Sequence, residues 1–298
     1  MASFHEITCE SAMHELKRKI PYGWDCNIYR GCQHGCKYCY AIYSHKYIEE
    51  TGEDFFQDIY VKTNIVEKLE KQLRSPSWKR EVVNLGGVTD SYQPAEAKYK
   101  LMPEILKLLI KYKTPAIIST KSTLPLRDYD LIDELSRITY INIASTITTM
   151  DEDIRRQIEP FGAPSKERFE MLKEFRKTNA SVGLHVMPII PYLTDTQENM
   201  EALCAHAKDS NVHYMLPGMM YLRGQTRKYF FEFIRETYPH LEQPLLDLYK
   251  KGGADPSYKT QFYKMLNEIR EKYQIPSSYM APMKEKLKQC ESEQMSLF

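Results

Sequence analysis

The stretch Gly31-Cys32-Gln33-His34-Gly35-Cys36-Lys37-Tyr38-Cys39-Tyr40-Ala41 decides how this chain is read. Its three cysteines stand at a three-then-two spacing, with Gly31 and Gly35 beside them. Thiolates so close in sequence face one point only if the backbone curls around it, and glycine tolerates the positive φ of such a curl. The loop is therefore expected to enclose something soft and thiophilic, an iron–sulfur cluster or a zinc ion.

The rest of the cysteine inventory bears on that choice. A structural zinc needs four ligands, usually from two spaced pairs. His34 and His45 are candidates for the fourth, but no second C-x-x-C pair exists. Cys9 and Cys26 lie upstream at unpaired spacing, Cys204 falls on the apolar stripe of a predicted helix, and Cys290 sits in the tail. A ferredoxin needs four cysteines per cluster. A cluster on three leaves one iron without a protein ligand, which is a defect in an electron carrier and an open coordination site in an enzyme.

Composition narrows the class. A chain of 298 residues is ordinary for a single α/β barrel. With 41 Lys plus Arg against 40 Asp plus Glu, long-range attraction to nucleic acid or anionic membrane is not indicated, a local basic patch aside. The 22 Tyr and 11 Phe suit core packing and base stacking equally. The N-terminal residues show no apolar stretch with a cleavage site, and no apolar run is long enough to span a bilayer. Seven cysteines, three of them in one loop, do not form a secreted disulfide framework. These features predict a cytoplasmic protein with reduced thiols and no membrane partner.

Residues 1–26 read as an irregular or partly helical lead-in. Strand candidates follow at 27–30, 81–86, 116–120, 140–146, 181–189 and 212–216. Between them lie a helix running from the cysteine loop towards Glu50, ended by Thr51-Gly52-Glu53-Asp54, a capping signature at Asn64 and Glu67, and apolar stripes at Leu101–Tyr112, Leu131–Ile138 and Phe169–Phe175. Ser165 is a candidate cap for the last of these, and Thr194 with Gln197 forms a capping box. Six strands with helix-sized connectors predict an α/β fold with a parallel sheet, a partial (β/α)6 TIM-like barrel over 27–224. Helices near 226–236, 241–250 and 257–272 predict a helical C-terminal extension over 225–298, with a frayed tail from Lys284.

C-x3-C-x2-C with Tyr38 just before the last cysteine resembles the signature of the radical S-adenosylmethionine (radical SAM) enzymes. The resemblance implies that Cys32, Cys36 and Cys39 hold a [4Fe-4S] cluster, whose open iron binds the amino and carboxylate groups of S-adenosylmethionine. It implies that the reduced cluster cleaves that molecule to a 5′-deoxyadenosyl radical, which abstracts hydrogen from substrate. An electron donor such as flavodoxin or ferredoxin is then required. The segments NIYRGCQHGCKYCYA, LGGVTDSYQPAE, STKSTLPLRDYDLI, INIASTITTMDEDIRRQIEPFGAPS and VGLHVMPIIPYLTD look like the spore photoproduct lyase-like branch, over about 27–195.

On that resemblance the strand ends acquire roles. Gly86 and Gly87 match the glycine edge that approaches the methionine amino group, or simply end a strand. Thr89 and Asp90 follow, and Asp90 accepts from the same ammonium or caps a turn. Lys121 pairs with the methionine carboxylate or is a solvated strand-end lysine. Ser145 and Thr146 offer hydroxyls to a ribose or carboxylate. Pro188 and Pro191, with Tyr38, contact adenine or pack the loop. His185 reads as a barrel-lining histidine, and Arg223 as an anion contact or a surface residue.

Spore photoproduct lyase itself has a hydrogen-donating cysteine on the loop after the second strand, where this chain has Gly87-Val88-Thr89-Asp90. Tyr92 is the candidate for exchanging a hydrogen in its place, or else packs over the site. A nucleic acid base lesion is the first candidate substrate, with a peptide or small metabolite as the alternative. A non-enzymatic zinc-binding module is the reading from another class.

Overall fold

The structure, a computed structural model, describes residues 2–17, 22–47, 55–280 and 283–288. The chain begins with four short strands, β1 (Ser3–Ile7), β2 (Met13–Glu15), β3 (Trp24–Cys26) and β4 (Tyr29–Arg30). The cysteine loop and a 3-10 helix, Tyr40–Tyr47, come next, followed by β5 (Asp58–Lys62) and α1 (Ile65–Leu73). Regular alternation then sets in: β6 (Val83–Leu85), α2 (Pro94–Tyr99), α3 (Leu101–Lys111), β7 (Ala116–Thr120), α4 (Tyr129–Ile138), β8 (Ile141–Thr146), α5 (Glu152–Ile158), α6 (Ser165–Phe175), β9 (Ser181–Ile189), α7 (Gln197–Asp209) and β10 (Tyr214–Met219). Three further helices complete the order, α8 (Gly224–Thr237), α9 (Glu242–Leu248) and α10 (Pro256–Tyr273).

The main sheet has the order β10-β9-β8-β7-β6-β3-β2. β3 through β10 in that sheet pair in parallel, and β2 joins β3 antiparallel. Six parallel strands with helical crossovers form the expected partial barrel. Its central strand β8 is buried along its whole length, as a strand covered on both faces must be. The first barrel strand is β3, upstream of the Asn27–Arg30 segment expected to fill that place. In that segment β4 instead pairs antiparallel with β5, which pairs in parallel with β1 to make a separate three-stranded sheet. Among its described residues the lead-in, expected to be irregular or partly helical, carries three short strands joined by irregular segments and no helix. β1 and β5 are about fifty residues apart, and a pairing that distant leaves no mark on local periodicity.

Other local expectations are corrected too. The helix after the cysteine loop is 3-10 as far as Tyr47, while Glu50 and the 51–54 break lie outside the described residues. Asn64 precedes α1 without capping it, because its amide is bonded to the backbone of Cys9. Thr196 rather than Thr194 caps α7, accepting from the Asn199 N–H, and Thr194 Oγ1 accepts from Ile190 N at 2.8 Å. Pro164 holds the N-cap place of α6, while the Ser165 hydroxyl bonds Thr149 O. Residues 283–288 of the tail are helical, and residues 289–298 lie outside the described residues.

Two apolar clusters matter for the site. The larger joins the sheet to its surrounding helices. The second joins α8 and α9 (Phe230, Phe231, Phe233, Ile234, Leu245) to Cys36, Tyr38, Ile190 and Met220. The C-terminal helices therefore cover the cysteine loop. Each fully buried large apolar side chain there is worth ~1.5–3 kcal/mol. Among the described residues no helix is long and apolar enough to cross a membrane.

Candidate active site

The cysteine loop leaves β4 at the end of the barrel where the parallel strands finish. Gly31 and Gly35 both adopt positive φ, 77° and 66°. A Cβ on Gly31 would also lie 2.3 Å from Asp58 O, so the curl expected of these glycines is a steric requirement. The loop is tied on every side. Cys32 N donates to Phe55 O (2.9 Å), and Thr226 Oγ1 donates to Cys39 O (3.0 Å). The fully buried Gln93 accepts from Gln33 N and donates to Gly31 O. Lys37 N donates to Ile158 O, and Phe161 N donates to His34 O.

Cys32, Cys36 and Cys39 line one cavity of about 570 Å³. It runs down the barrel axis from the cysteine loop, past the strand ends, to Tyr22, Tyr214 and Tyr279. Burial pushes all three thiols up to about 12.

Neither proposed histidine supplies a fourth ligand. His34 is wedged between Asp90 Oδ2 (2.8 Å) and Phe161 O (3.2 Å). His45 packs against Phe55 and Tyr60 and does not line the cavity. Among the described residues no three His, Cys, Asp or Glu side chains converge on a single ion. Thiolates around a cubane cluster each meet a different iron, and the donor set fits that group better than it fits zinc.

The other sequence candidates divide into those that face the cavity and those that do not. Tyr38, Gly86, Gly87, Thr89, Asp90, Lys121, Thr146 and Pro188 line it. Gly87 lies against Asp25, and a Cβ there would stand 2.3 Å from the carboxylate that Asn27 and Asn84 hold in place. Thr89 Oγ1 donates to Tyr29 O. The Lys121 ammonium lies 5.7 Å from the centre of the Tyr38 ring. Burial works to lower its pKa, but Cys36, Glu159 and Asp90 reverse this and hold it above the ordinary lysine value.

Asp90 is gripped from four directions by the protein itself. Its carboxylate accepts from His34 Nε2 (2.8 Å), Thr120 Oγ1 (3.0 Å), Lys121 N (2.8 Å) and Tyr92 N (2.8 Å). Three of these donors crowd Oδ2 and one reaches Oδ1, so most of the carboxylate's acceptor capacity is spent on holding the cysteine loop and the Lys121 backbone. Burial would raise its pKa, yet His34 and these bonds hold it below the usual carboxylate range.

Ser145 and Tyr92 are turned away. The buried Ser145 hydroxyl bonds Thr120 O. Tyr92 is fully buried, and its hydroxyl donates to Asp128 at 3.0 Å, so this phenol packs in the core and does not reach the cavity. Pro191 is likewise outside the lining, and Arg223 is exposed beside the Tyr221 ring.

Several lining residues escaped the sequence reading: Tyr40, Ser119, Tyr214, Leu216 and Met219. Tyr40 donates to Gly87 O, and Tyr214 donates to Asn142 Oδ1 and meets His185 Nε2, each at 3.2 Å. His185 is pushed down to about 4 by burial and by the Lys121 charge, so its ring is neutral. The missed signal was the two-residue period of the strands. Asn84 and Gly86, Ile117 and Ser119, His185 and Met187, and Tyr214 and Leu216 are successive inward positions.

Comparison with known proteins agrees with this geometry. Residues 26–204 match the model of the Radical SAM superfamily. An uncharacterized protein of Mycobacterium tuberculosis is 32% identical over 281 residues, 93% of this chain and 83% of that protein. One of Methanocaldococcus jannaschii is 28% identical over 83% of this chain and 85% of its own length. Among solved structures, a spore photoproduct lyase mutant with bound AdoMet and dinucleoside spore photoproduct superposes with a TM-score of 0.67 at 11% identity, covering 91% of this chain and 79% of that one. A likeness at that identity concerns the fold. Membership of the superfamily implies a [4Fe-4S] cluster and S-adenosylmethionine, and the buried Cys32 and Cys36 with the half-buried Cys39 fit the cluster motif. A cavity walled by those three cysteines, at the strand ends of a partial barrel over which the family model runs, makes this chain an enzyme of the radical SAM superfamily.

Proposed function

We propose that the cavity binds the cluster at Cys32, Cys36 and Cys39 and S-adenosylmethionine along Gly86, Gly87, Lys121 and Pro188, and acts on a nucleic acid base or a base-sized neutral group entering the barrel. When bound and reduced, these groups supply a 5′-deoxyadenosyl radical for hydrogen abstraction. The observation that carries the reading is that three cysteines, a glycine edge and a half-buried lysine line one cavity.

The chain's own residues have definable tasks. A Cβ on Gly86 would meet Thr89 O and one on Gly87 the Asp25 carboxylate, so both glycines let this edge fold tightly and present its backbone to the cavity. Lys121 offers a cation held beside Tyr38. The C-terminal helices exclude water from the cysteine loop. Below the strand ends the lining is uncharged: Asn84, Ser119, a neutral His185 and Tyr214 among apolar and aromatic side chains. Such a floor suits a flat hydrogen-bonding group and opposes an ionic one. At the other end, Phe161 and Tyr221 are exposed beside cavity-wall residues and give aromatic surface for stacking. The enclosed floor also suits a small neutral metabolite. Val88 stands in the loop where a donor cysteine would be needed for lyase chemistry, so the reaction is not expected to be photoproduct reversal.

The test is anaerobic reconstitution followed by reduction with S-adenosylmethionine present. A brown protein with about four irons that forms 5′-deoxyadenosine is expected, with both properties lost in Cys36→Ala. A fully loaded, reduced sample that leaves S-adenosylmethionine intact would refute the proposal. Transfer of deuterium into 5′-deoxyadenosine from labelled oligonucleotides, set against labelled small metabolites, separates the substrate classes.

A further inference from the structure

Behind Tyr38, away from the cavity, lies a buried ionic group with no contact to any ligand space. Glu159 and Arg168 are both fully buried and pair at 2.6 Å. Neither lines the cavity. Tyr38 donates its hydroxyl to the other Glu159 oxygen. Arg168 is itself fixed, donating to Thr146 O and Ala163 O at 2.6 Å each. A Cβ on Gly162 would lie 2.3 Å from its guanidinium, so the turn is shaped to admit it. Arg155 donates to the carbonyls of Glu159 and Gly162. The same turn holds the cysteine loop through Lys37 N to Ile158 O and Phe161 N to His34 O, and Ala163 N donates to Lys121 O.

Removing two charges from water costs several kcal/mol per ion, which a buried pair only partly returns. Apolar side chains in place of the pair would leave the Thr146 and Ala163 carbonyls without their donor. They would also lack an acceptor for the Tyr38 hydroxyl and a negative charge near Lys121. Those two side chains form the wall where S-adenosylmethionine is placed.

We propose that Glu159 is a positioning residue for S-adenosylmethionine, fixing the plane of the Tyr38 ring and, across it, the Lys121 ammonium. This rests on the reading of the site given above. Glu159 acts on Tyr38 through a hydrogen bond and on Lys121 through its charge. The part of its effect carried by the bond disappears once the tyrosine hydroxyl is gone, so the two losses cannot be additive.

The experiment is a double-mutant cycle on reconstituted holoenzyme. Wild type, Tyr38→Phe, Glu159→Gln and the double variant are compared for iron content, S-adenosylmethionine affinity by calorimetry, and the EPR change of the reduced cluster on adding S-adenosylmethionine. At wild-type iron content, each single variant is expected to bind about tenfold more weakly (~1.4 kcal/mol) and to show an altered EPR change. The double variant is expected to be no weaker than the poorer single.

Wild-type affinity in Tyr38→Phe, or additive losses in the double variant, would overturn the proposal. A purely structural role would lower the melting temperature and leave affinity and EPR unchanged, which also overturns it. If Glu159→Gln fails to fold, Tyr38→Phe decides alone, since it removes one surface-inaccessible oxygen and keeps the ring. Failure of the wild type to hold iron or bind S-adenosylmethionine would count against the function, and is visible before any variant is made.

Discussion

Asp90→Asn separates a residue that binds a ligand from one that builds the wall. Asp90 Oδ2 takes three donors, from His34, Thr120 and the Lys121 backbone, and Oδ1 takes the Tyr92 N–H. An asparagine can put its oxygen at only one of these places. With the oxygen towards the three donors, its NH2 faces the Tyr92 N–H, and one bond becomes a donor–donor contact. The three remaining bonds also lose the assistance of a negative charge. A bond to a charged group is worth ~1.5–3 kcal/mol, and an unmet buried group costs ~1–3 kcal/mol. The expected loss is therefore ~2–4 kcal/mol in urea unfolding of the metal-free protein, with a lower midpoint at unchanged slope. His34 lies between two cluster cysteines, so slower iron uptake should accompany it. S-adenosylmethionine affinity, measured on the fraction that retains iron, should stay near wild type. An unfolding free energy within ~0.5 kcal/mol of wild type, joined to a loss of affinity, would refute this account and return Asp90 to the ligand.

Tyr92→Phe should cost ~1–2 kcal/mol through the lost bond to Asp128 and leave 5′-deoxyadenosine formation unchanged; lost turnover at wild-type stability would contradict it. Gly183→Ala should destabilise by ~2–4 kcal/mol, because the new Cβ would stand 2.0 Å from Tyr214 Cζ and the ring must leave Asn142 and His185. Tyr214→Phe should cost less, and equal losses in urea unfolding would mean that Tyr214 moves freely. For His185 the folded pKa is about 4, against ~6.5 unfolded. The unfolded chain binds the extra proton between those values, so stability rises with pH through that window and is fully present above it. Relative to His185→Gln, wild type should lose up to ~3 kcal/mol between pH 7 and 4. Parallel stability–pH curves for the two proteins would rule this out.

The barrel was legible because β7, β8 and β9 are short β-branched runs between amphipathic helices, a pattern set by burial on both faces. β1 and β5 were not, and β4, within the strand expected at 27–30, joins a different sheet from the one expected, since their pairing links segments about thirty to fifty residues apart and only three-dimensional proximity reveals it. The cysteines were legible because their chemistry and spacing travel together along the chain. The floor of the cavity was hidden because each strand contributes only one or two inward residues, among them Asn84, Ser119, His185 and Tyr214, and no local motif joins them.

The segments that carry the family resemblance do two kinds of work, and sequence alone does not separate them. In LGGVTDSYQPAE, Gly86 and Gly87 face the cavity, while Asp90 and Gln93 grip the cysteine loop. Glu96 is fully buried and accepts from Tyr29, from the N–H groups of Leu101 and Met102, and from Arg127. Arg127 also binds Asp128, which receives the Tyr92 hydroxyl, so the LRD segment closes this buried network. In the IEPFG segment, Glu159 stands behind Tyr38 and Phe161 anchors His34. A three-cysteine loop spends every thiol on metal, and the force that holds its curl has to come from neighbouring elements. Residues that never touch a ligand are then as constrained as those that do. Their loss should show first as failure to load iron, and only afterwards as failure of chemistry.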